Sequence, residues 1–173
     1  MIELDAEAIY RELAARVRVH LAGRLVRFVG VHTGGVWLAE RLRADLGIAG
    51  EVGILDVSFY RDDFDRSGLA REGRPSRIPF EVEGSDILLV DDVLNTGRTV
   101  RAAMNELFDY GRPARVELAV LIDRGGRQLP IHASLVGRTL EVPGDVSVEL
   151  SRDEFQRLHL TLENLAGREE GPR

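Results

Sequence analysis

The fold of this chain is decided by a run of thirteen residues, Ile87-Leu88-Leu89-Val90-Asp91-Asp92-Val93-Leu94-Asn95-Thr96-Gly97-Arg98-Thr99. Four consecutive apolar residues predict a buried strand, and two acids follow them directly. A small polar turn comes next. After Gly97, apolar residues recur at the spacing of one helical face, and Gly111 and Pro113 end that pattern. The run is therefore predicted to be a strand, a turn and the start of a helix.

The turn before this helix is suited to a phosphate group. The first N–H groups of a helix lack partners and lie at the positive end of its dipole. Gly97 lets the backbone approach a ligand without a Cβ, while Thr96 and Thr99 supply hydroxyls. Asp91 and Asp92 would lie behind the phosphate, where carboxylates can accept hydrogen bonds from sugar hydroxyls. The pattern predicts a ribose 5-phosphate site.

A structural alternative is that the two acids end the strand and Thr96 caps the helix, with no ligand. Neighbouring carboxylates at the end of a buried strand repel and desolvate each other, so this alternative is the weaker one.

Outward from this run, strands alternate with helices. Asp5 is the predicted cap of an N-terminal helix, and a second helix starts near Val36 and ends at Gly47. Strands are predicted over residues 25–31, 52–60, 87–90 and 116–122, with shorter pieces at 78–82, 134–136 and 146–150 and an acidic tail after them. This order predicts an α/β fold with a doubly wound, mostly parallel sheet and helices on both faces.

No repeat or linker divides the chain, so residues 1–173 are predicted to form one domain with a frayed tail from about residue 165. Ligands bind beyond the carboxyl ends of the strands in such sheets. The segment 61–77 is polar, contains glycine and proline, and is too long for a simple connector. We therefore expect it to be a functional loop.

Composition excludes several chemistries. The chain has no cysteine, and all 23 basic residues are arginine. Disulfides, thiolate zinc sites, a Walker P-loop and Schiff-base catalysis are thus excluded. The four histidines show no H-E-x-x-H pairing. The N-terminus carries Glu3, Asp5 and Glu7 and does not resemble a signal peptide, and no apolar run is long enough to span a membrane, so a cytoplasmic location is expected.

The net charge is −6, which disfavours indiscriminate nucleic-acid binding. Residues 98–138 nevertheless contain seven arginines and four acids. This local excess is either a solvated surface or a face for anions or RNA.

The thirteen-residue run resembles the signature of type I phosphoribosyltransferases, in which four hydrophobic residues and two acids precede Thr-Gly-x-Thr. The resemblance extends along nearly the whole chain to bacterial pyrimidine operon regulators that are also uracil phosphoribosyltransferases. Its other matching pieces are Leu4-Asp5, Ala8-Ile9, Gly30-Val31, Thr33, Asp56, Tyr60-Arg61-Asp62-Asp63, Asp109-Tyr110-Gly111-Arg112-Pro113, Leu121-Ile122-Asp123-Arg124-Gly125 and Leu129-Pro130-Ile131.

This resemblance implies the type I phosphoribosyltransferase fold, with a small hood built from segments around 123–150. It implies transfer of a ribosyl group from phosphoribosyl pyrophosphate (PRPP) to uracil, which yields UMP and pyrophosphate, with Mg²⁺ as cofactor. Pyrimidine operon mRNA is an implied partner, and a homodimer or higher homo-oligomer is the implied assembly.

The resemblance also implies roles for individual residues. Asp91 and Asp92 hold the ribose hydroxyls and, through water, Mg²⁺, and Arg61 in the mobile loop holds pyrophosphate. The 5-phosphate loop consists of Asn95, Thr96, Gly97, Arg98 and Thr99. The pyrophosphate loop consists of His32, Thr33, Gly34 and Gly35, and the base hood includes Ile122, Asp123 and Arg124.

Some of these roles have structural alternatives. Arg61 could be a surface arginine paired with Asp63 or Asp65, the Thr33 turn could simply start a helix, and Asp123 with Arg124 could form a salt-linked turn.

The chain also departs from the family pattern. Gly34 replaces a basic residue, Ala14-Ala15 replaces Thr-Arg, and Gly126 and His132 replace a His and an Arg. The resemblance places several of those residues on the RNA face of the family, of which Arg124, Arg127 and Arg138 remain as candidate RNA contacts. Enzyme activity is therefore the safer expectation, and RNA binding is expected to be weakened.

Overall fold

The structure is a computed structural model, and it describes residues 2–57 and 75–164. Its helices are α1 (Ala6–Leu21), α2 (Gly34–Asp45) and α3 (Arg98–Asp109). Its strands are β1 (Ile2–Leu4), β2 (Arg27–Val31), β3 (Gly53–Leu55), β4 (Asp86–Leu94), β5 (Arg115–Asp123), β6 (Leu135–Thr139), β7 (Val146–Arg152) and β8 (Leu158–Asn164).

The main sheet has five strands in the order β3-β2-β4-β5-β6, and every neighbouring pair is parallel. Strand β4, which contains the acid pair, lies at the centre of this sheet. The α/β fold predicted from the sequence is confirmed.

Helices cover both faces of the main sheet because its strands are apolar on both sides. Along β4, Leu88 and Val90 pack in the same core cluster as α1 and α2. Ile87 and Leu89 point to the opposite face and pack in the cluster that contains α3. This alternation is the period of two expected of a strand.

The first and third helices begin as their sequences predict. The Asp5 carboxylate accepts a hydrogen bond of 2.8 Å from the Ala8 N–H and caps α1. Helix α3 is preceded by Gly97, which has a φ of 94°, a left-handed conformation that glycine adopts without a steric penalty. None of the helices in the described ranges is long and apolar enough to span a membrane.

A second, antiparallel sheet has the order β1-β8-β7. The sequence did not predict β1, and the acidic tail predicted beyond residue 150 is wrong because residues 158–164 form β8. Ile2 pairs with Leu162, so the paired residues are far apart in the sequence and no local pattern predicts their pairing. Strand β7 belongs to the segment expected to form the hood, whereas β1 and β8 lie outside it.

Several predicted boundaries also need correction. Residues 78–82 lie in the described part of the chain and do not form the short strand predicted there. Just before them, Arg77 forms an isolated antiparallel bridge with Ile54. The signature strand does not end at Val90, because pairing with β5 continues to Leu94 opposite Asp123. The strand predicted at 52–60 is described only as β3, since residues 58–60 lie outside the described ranges.

Candidate functional site

The two signature acids lie inside β4 close to its carboxyl end. Asp91 is 3% exposed and Asp92 is 6% exposed. Each carboxylate accepts a hydrogen bond of 2.9 Å from the N–H of the following residue. The sequence had suggested that the two side chains lie side by side. They do not, because successive residues of a strand point to opposite faces of the sheet. Asp92 points towards α2, and Asp91 belongs to the face covered by α3.

The predicted pyrophosphate loop lies directly beside Asp92. A Cβ added to Gly34 would be 2.8 Å from Cγ of Asp92, which leaves no space for a side chain. The next residue, Gly35, packs on the backbone of β4 at Val90 and Asp91. The absence of side chains at these two positions therefore lets the start of α2 approach β4 closely.

The other two residues of the pyrophosphate loop connect β2 to α2. The His32 N–H donates a hydrogen bond of 2.8 Å to the carbonyl of Leu55, which fixes the loop to β3. The Thr33 hydroxyl lies 2.8 Å from Nδ1 of His32, and the peptide bond between these two residues is cis. The structure thus brings the four residues predicted for pyrophosphate next to the acid predicted for ribose.

The predicted 5-phosphate loop forms the turn between β4 and α3. Thr96 is 8% exposed, and its hydroxyl accepts a hydrogen bond of 3.2 Å from the Arg98 N–H. The Arg98 guanidinium contacts the side-chain carbonyl of Gln128 at 3.1 Å. Thr99 lies in the first turn of α3. The loop predicted to bind the 5-phosphate therefore leads directly into the N-terminus of α3.

The segment 125–131 packs over this turn, which the sequence did not predict. The carbonyl of Thr96 accepts hydrogen bonds from the N–H groups of Gln128 and Leu129, at 3.0 and 3.1 Å. A Cβ on Gly97 would be 2.9 Å from Cγ1 of Ile131. These contacts join segments about thirty residues apart, so a local sequence pattern does not indicate them.

Asp123 and Arg127 form the most complete ion pair of this region. Nη2 of Arg127 donates to both carboxylate oxygens of Asp123, at 2.7 and 2.6 Å. Nη1 donates to the carbonyl of Asn95 at 2.5 Å. Burial alone would raise the pKa of Asp123, but hydrogen bonds from Arg127 and from the Gly125 N–H outweigh it and lower the pKa. The pair joins the predicted base hood to the 5-phosphate loop.

The three arginines predicted as RNA contacts all have partners within the chain. Arg127 pairs with Asp123, as described above. Nη2 of Arg138 donates to Glu12 at 2.8 Å, and Nη2 of Arg124 donates to the carbonyl of Pro143 at 3.0 Å. The charges of Arg127 and Arg138 are therefore partly compensated before any RNA is bound, and Arg124 already makes a hydrogen bond within the chain.

Two other predicted residues have different outcomes. Ile122 is fully buried in the core and is paired with Val93 and Arg138 inside the main sheet, so its side chain is not available to a base. Arg61 and the rest of the loop predicted to close over the site lie outside the described residues.

The donor set fits a magnesium ion that is held mainly by its ligand. Mg²⁺ prefers oxygen ligands and is usually bound by one or two carboxylates together with substrate phosphates and water. Asp91 and Asp92 supply such carboxylates. Within residues 2–57 and 75–164, no group of three or more His, Cys, Asp or Glu side chains forms a metal site of its own.

Comparison with known structures agrees with this architecture. A hypoxanthine-guanine phosphoribosyltransferase from Bacillus anthracis superposes with a TM-score of 0.62 at 17% identity, covering 82% of this chain and 85% of that one. A hypoxanthine phosphoribosyltransferase from Staphylococcus aureus superposes with a TM-score of 0.61 at 22% identity, covering 84% and 79%. These similarities establish the fold.

Sequence comparison is more specific. The family model of the phosphoribosyl transferase domain matches residues 3–149. The bifunctional protein PyrR of Pseudomonas entomophila is 52% identical over 146 residues, which cover 83% of this chain and 85% of the relative. The bifunctional protein PyrR of Ralstonia nicotianae is 51% identical over 154 residues, which cover 87% and 88%. The chain therefore belongs to the phosphoribosyl transferase family and, within that family, to the group of bifunctional PyrR proteins.

Proposed function

We propose that this protein is a uracil phosphoribosyltransferase, which converts uracil and PRPP to UMP and pyrophosphate. The observation that carries the proposal is the contact between the start of α2 and the end of β4, the central strand of the main sheet. Gly34, in the predicted pyrophosphate loop, packs against Asp92. The turn at Gly97, which we propose binds the 5-phosphate, follows Asp92 in the connection from β4 to α3. The identity of about one half to PyrR proteins supports uracil as the base.

The site performs this reaction mainly by positioning its substrate. The turn at Thr96 and Gly97 binds the 5-phosphate, and Asp91 and Asp92 accept hydrogen bonds from the ribose hydroxyls. The first N–H groups of α2 face the pyrophosphate, because helix N-termini stabilise anions. As the bond from C1 of the ribose to pyrophosphate breaks, negative charge collects on the leaving group, and these donors stabilise it.

Mg²⁺ belongs to this proposal as the cofactor that supplies positive charge to the pyrophosphate oxygens when it is bound. Asp91 and Asp92 would hold it through water. Arg61, which lies outside the described residues, is proposed to add a second positive charge, and closure of its loop would exclude water from the ribosyl cation.

A panel of bases tests the base specificity. Protein, Mg²⁺ and PRPP are mixed with uracil, guanine or hypoxanthine, and pyrophosphate release is measured. Uracil alone is expected to give turnover. Turnover with guanine or hypoxanthine and none with uracil would keep the reaction but replace the base.

The acid pair gives the matching test of the site. Asp92→Asn is expected to lower turnover at least about 100-fold, because an amide cannot replace an ionised acceptor beside the ribose. Circular dichroism should show an intact fold. Near wild-type turnover in this variant would refute the role of Asp92.

A second function is supported by the word bifunctional in the names of these relatives. We propose that UMP binding at the same site promotes binding to pyrimidine operon mRNA. Arg124, Arg127 and Arg138 are the proposed contacts, although each already has a partner within the chain. We therefore expect the RNA affinity to be modest and its salt dependence to be shallow, because few phosphate contacts release few counterions.

Titration of a pyrimidine leader RNA with and without UMP tests the regulatory function. UMP is expected to increase affinity at moderate salt. Absence of any UMP effect, together with normal enzyme turnover, would remove the regulator and retain the enzyme. Sedimentation of the same samples tests the proposed homodimer or higher oligomer.

A further inference from the structure

A cavity of about 680 Å³ lies outside the site described above, between α1, α2 and the hairpin of β7 and β8. Its volume is in the range of small-molecule pockets, which span roughly 300–1,000 Å³. None of the described residues that line it is assigned to ribose, phosphate or base. Its lining includes the side chains of Trp37, Glu40, Arg41, Arg152, Phe155 and Arg157.

Two guanidinium groups in this cavity have no acidic partner among the residues that the structure describes. Arg152 lies over the ring of Trp37, 4.7 Å from its centroid, and neither Arg152 nor Arg157 makes an ion pair within the described ranges 2–57 and 75–164. Stacking on an aromatic face leaves the N–H groups in the guanidinium plane available for hydrogen bonds. Arg41 differs, because Glu7 accepts two hydrogen bonds from it, at 2.8 and 2.7 Å.

The turn between β7 and β8 presents an exposed aromatic ring at the same cavity. Phe155 is 74% exposed. The turn around it is ordered by Asp153, whose Oδ1 accepts hydrogen bonds from the N–H groups of Phe155 and Arg157, at 2.9 and 2.8 Å. The ring therefore stands on a defined backbone, and packing against residues 2–57 and 75–164 does not cover it.

Glu40 adds a hydrogen-bond acceptor to the wall. Its carboxylate has no partner in the described part of the chain, so it is available to hydroxyl or amino groups of a ligand. The cavity thus combines two unpaired guanidiniums, an exposed ring and an acceptor. A molecule that matches all three features has a phosphate, an aromatic ring and a polyhydroxyl or amino group.

We propose that this cavity is a second nucleotide-binding site, separate from the catalytic site. The guanidiniums of Arg152 and Arg157 bind the phosphate, Phe155 stacks on the base, and Glu40 accepts from the sugar or the base. A mononucleotide fits better than an RNA strand, because the two glutamates of the lining oppose its three arginines and strand binding relies on many phosphate contacts.

The position of Trp37 gives the site a connection to catalysis. The backbone N–H of Trp37 donates to the carbonyl of Thr33 at 3.4 Å, so Trp37 belongs to the first turn of α2, next to the predicted pyrophosphate loop. Trp37 is also the single tryptophan of the chain, and its fluorescence therefore reports directly on the cavity.

Equilibrium dialysis with labelled AMP, GMP, CMP and UMP tests the proposal, in the presence of saturating Mg²⁺ and ribose 5-phosphate to compete at the catalytic site. One further nucleotide per chain is expected to bind and to change the emission of Trp37. Arg152→Gln and Phe155→Ala should each weaken this binding about tenfold or more, since a charge-assisted hydrogen bond or a base stack is removed. Arg77→Gln, an exposed arginine paired with Glu51, is the matched control and should leave binding unchanged.

Arg152→Gln and Phe155→Ala show whether the nucleotide binds in the cavity even if ribose 5-phosphate fails to block the catalytic site. Nucleotide binding that is equal in wild type, Arg152→Gln and Phe155→Ala would overturn the proposal, as would absence of binding for all four nucleotides. Sedimentation of the same variants adds another decisive outcome. If Phe155→Ala dissociates an oligomer and changes no nucleotide affinity, the cavity is a contact between copies of the chain and the proposal fails.

Discussion

Gly34 and Asp92 are in contact across the site, although Gly34 begins α2 and Asp92 lies near the end of β4. A Cβ on Gly34 would be 2.8 Å from Cγ of Asp92, closer than folded proteins tolerate. The start of α2 and the end of β4 therefore share one small space. This contact fixes the distance between the loop proposed to bind pyrophosphate and the acid proposed to hold ribose.

Gly34→Ala is expected to lower kcat/KM for PRPP about 10- to 100-fold, because the methyl group must displace the Asp92 carboxylate from its position. The measurement is pyrophosphate release over a range of PRPP concentrations. Gly144→Ala is the matched control, since a Cβ at that position meets nothing within 4 Å and should leave activity unchanged. If both variants were equally active, the contact would have no role in positioning Asp92.

The sequence predicted the strand, the turn and the helix of the signature because their evidence is local. The apolar run predicts β4, the helical spacing after Gly97 predicts α3, and Asp5 predicts the start of α1. The same pattern placed the acids at the carboxyl end of the central strand. The composition and the signature were sufficient for the fold class.

The remaining features depend on contacts between distant segments. The pairing of Ile2 with Leu162 cannot be recognised from the sequence of β1, because a strand of three residues is too short to show a pattern. The packing of Gly34 on Asp92 and of Gly126 on Asn95 arises from the folded arrangement of loops. The sequence also suggested adjacent carboxylates, whereas the strand geometry points them to opposite faces.

Arg127→Gln is expected to lower the free energy of unfolding by about 1–3 kcal/mol, because Asp123 would lose its two charged hydrogen bonds in a partly buried position. Urea denaturation measures this change. Arg77→Gln is the control and should change stability by less than about 0.5 kcal/mol, since its ion pair with Glu51 is exposed. RNA affinity that falls while stability stays at the wild-type value would instead assign Arg127 mainly to RNA.

Gly97→Ala is expected to weaken 5-phosphate binding and to destabilise the protein by about 1–2 kcal/mol, the usual cost of a left-handed conformation for a residue with a Cβ. The added methyl group would also be 2.9 Å from Cγ1 of Ile131. Calorimetric titration with ribose 5-phosphate measures the first effect and urea denaturation the second. Gly144→Ala again serves as the control. Wild-type affinity in Gly97→Ala would argue against a phosphate at this turn.

Glu7 provides a pH-dependent link between three elements. Its carboxylate accepts hydrogen bonds from Arg41 of α2 and, at 2.9 Å, from the Leu158 N–H of β8. The hydrogen bond from Arg41 lowers the pKa of Glu7 from 4.5 to about 2. Because the folded pKa lies below the unfolded one, the ionised carboxylate stabilises the protein fully above pH 4.5, and this contribution is lost as the pH falls towards 2.

Glu7→Gln should therefore lower the free energy of unfolding by about 1–3 kcal/mol at neutral pH, where the charged hydrogen bonds are intact in the wild type. The difference between wild type and variant should shrink as urea denaturation is repeated at steps from pH 7 down to pH 3. Glu51→Gln removes an exposed carboxylate and should change stability little over the same range. A difference for Glu7→Gln that is equal at pH 3 and pH 7 would show that the carboxylate acts through packing and not through its charge.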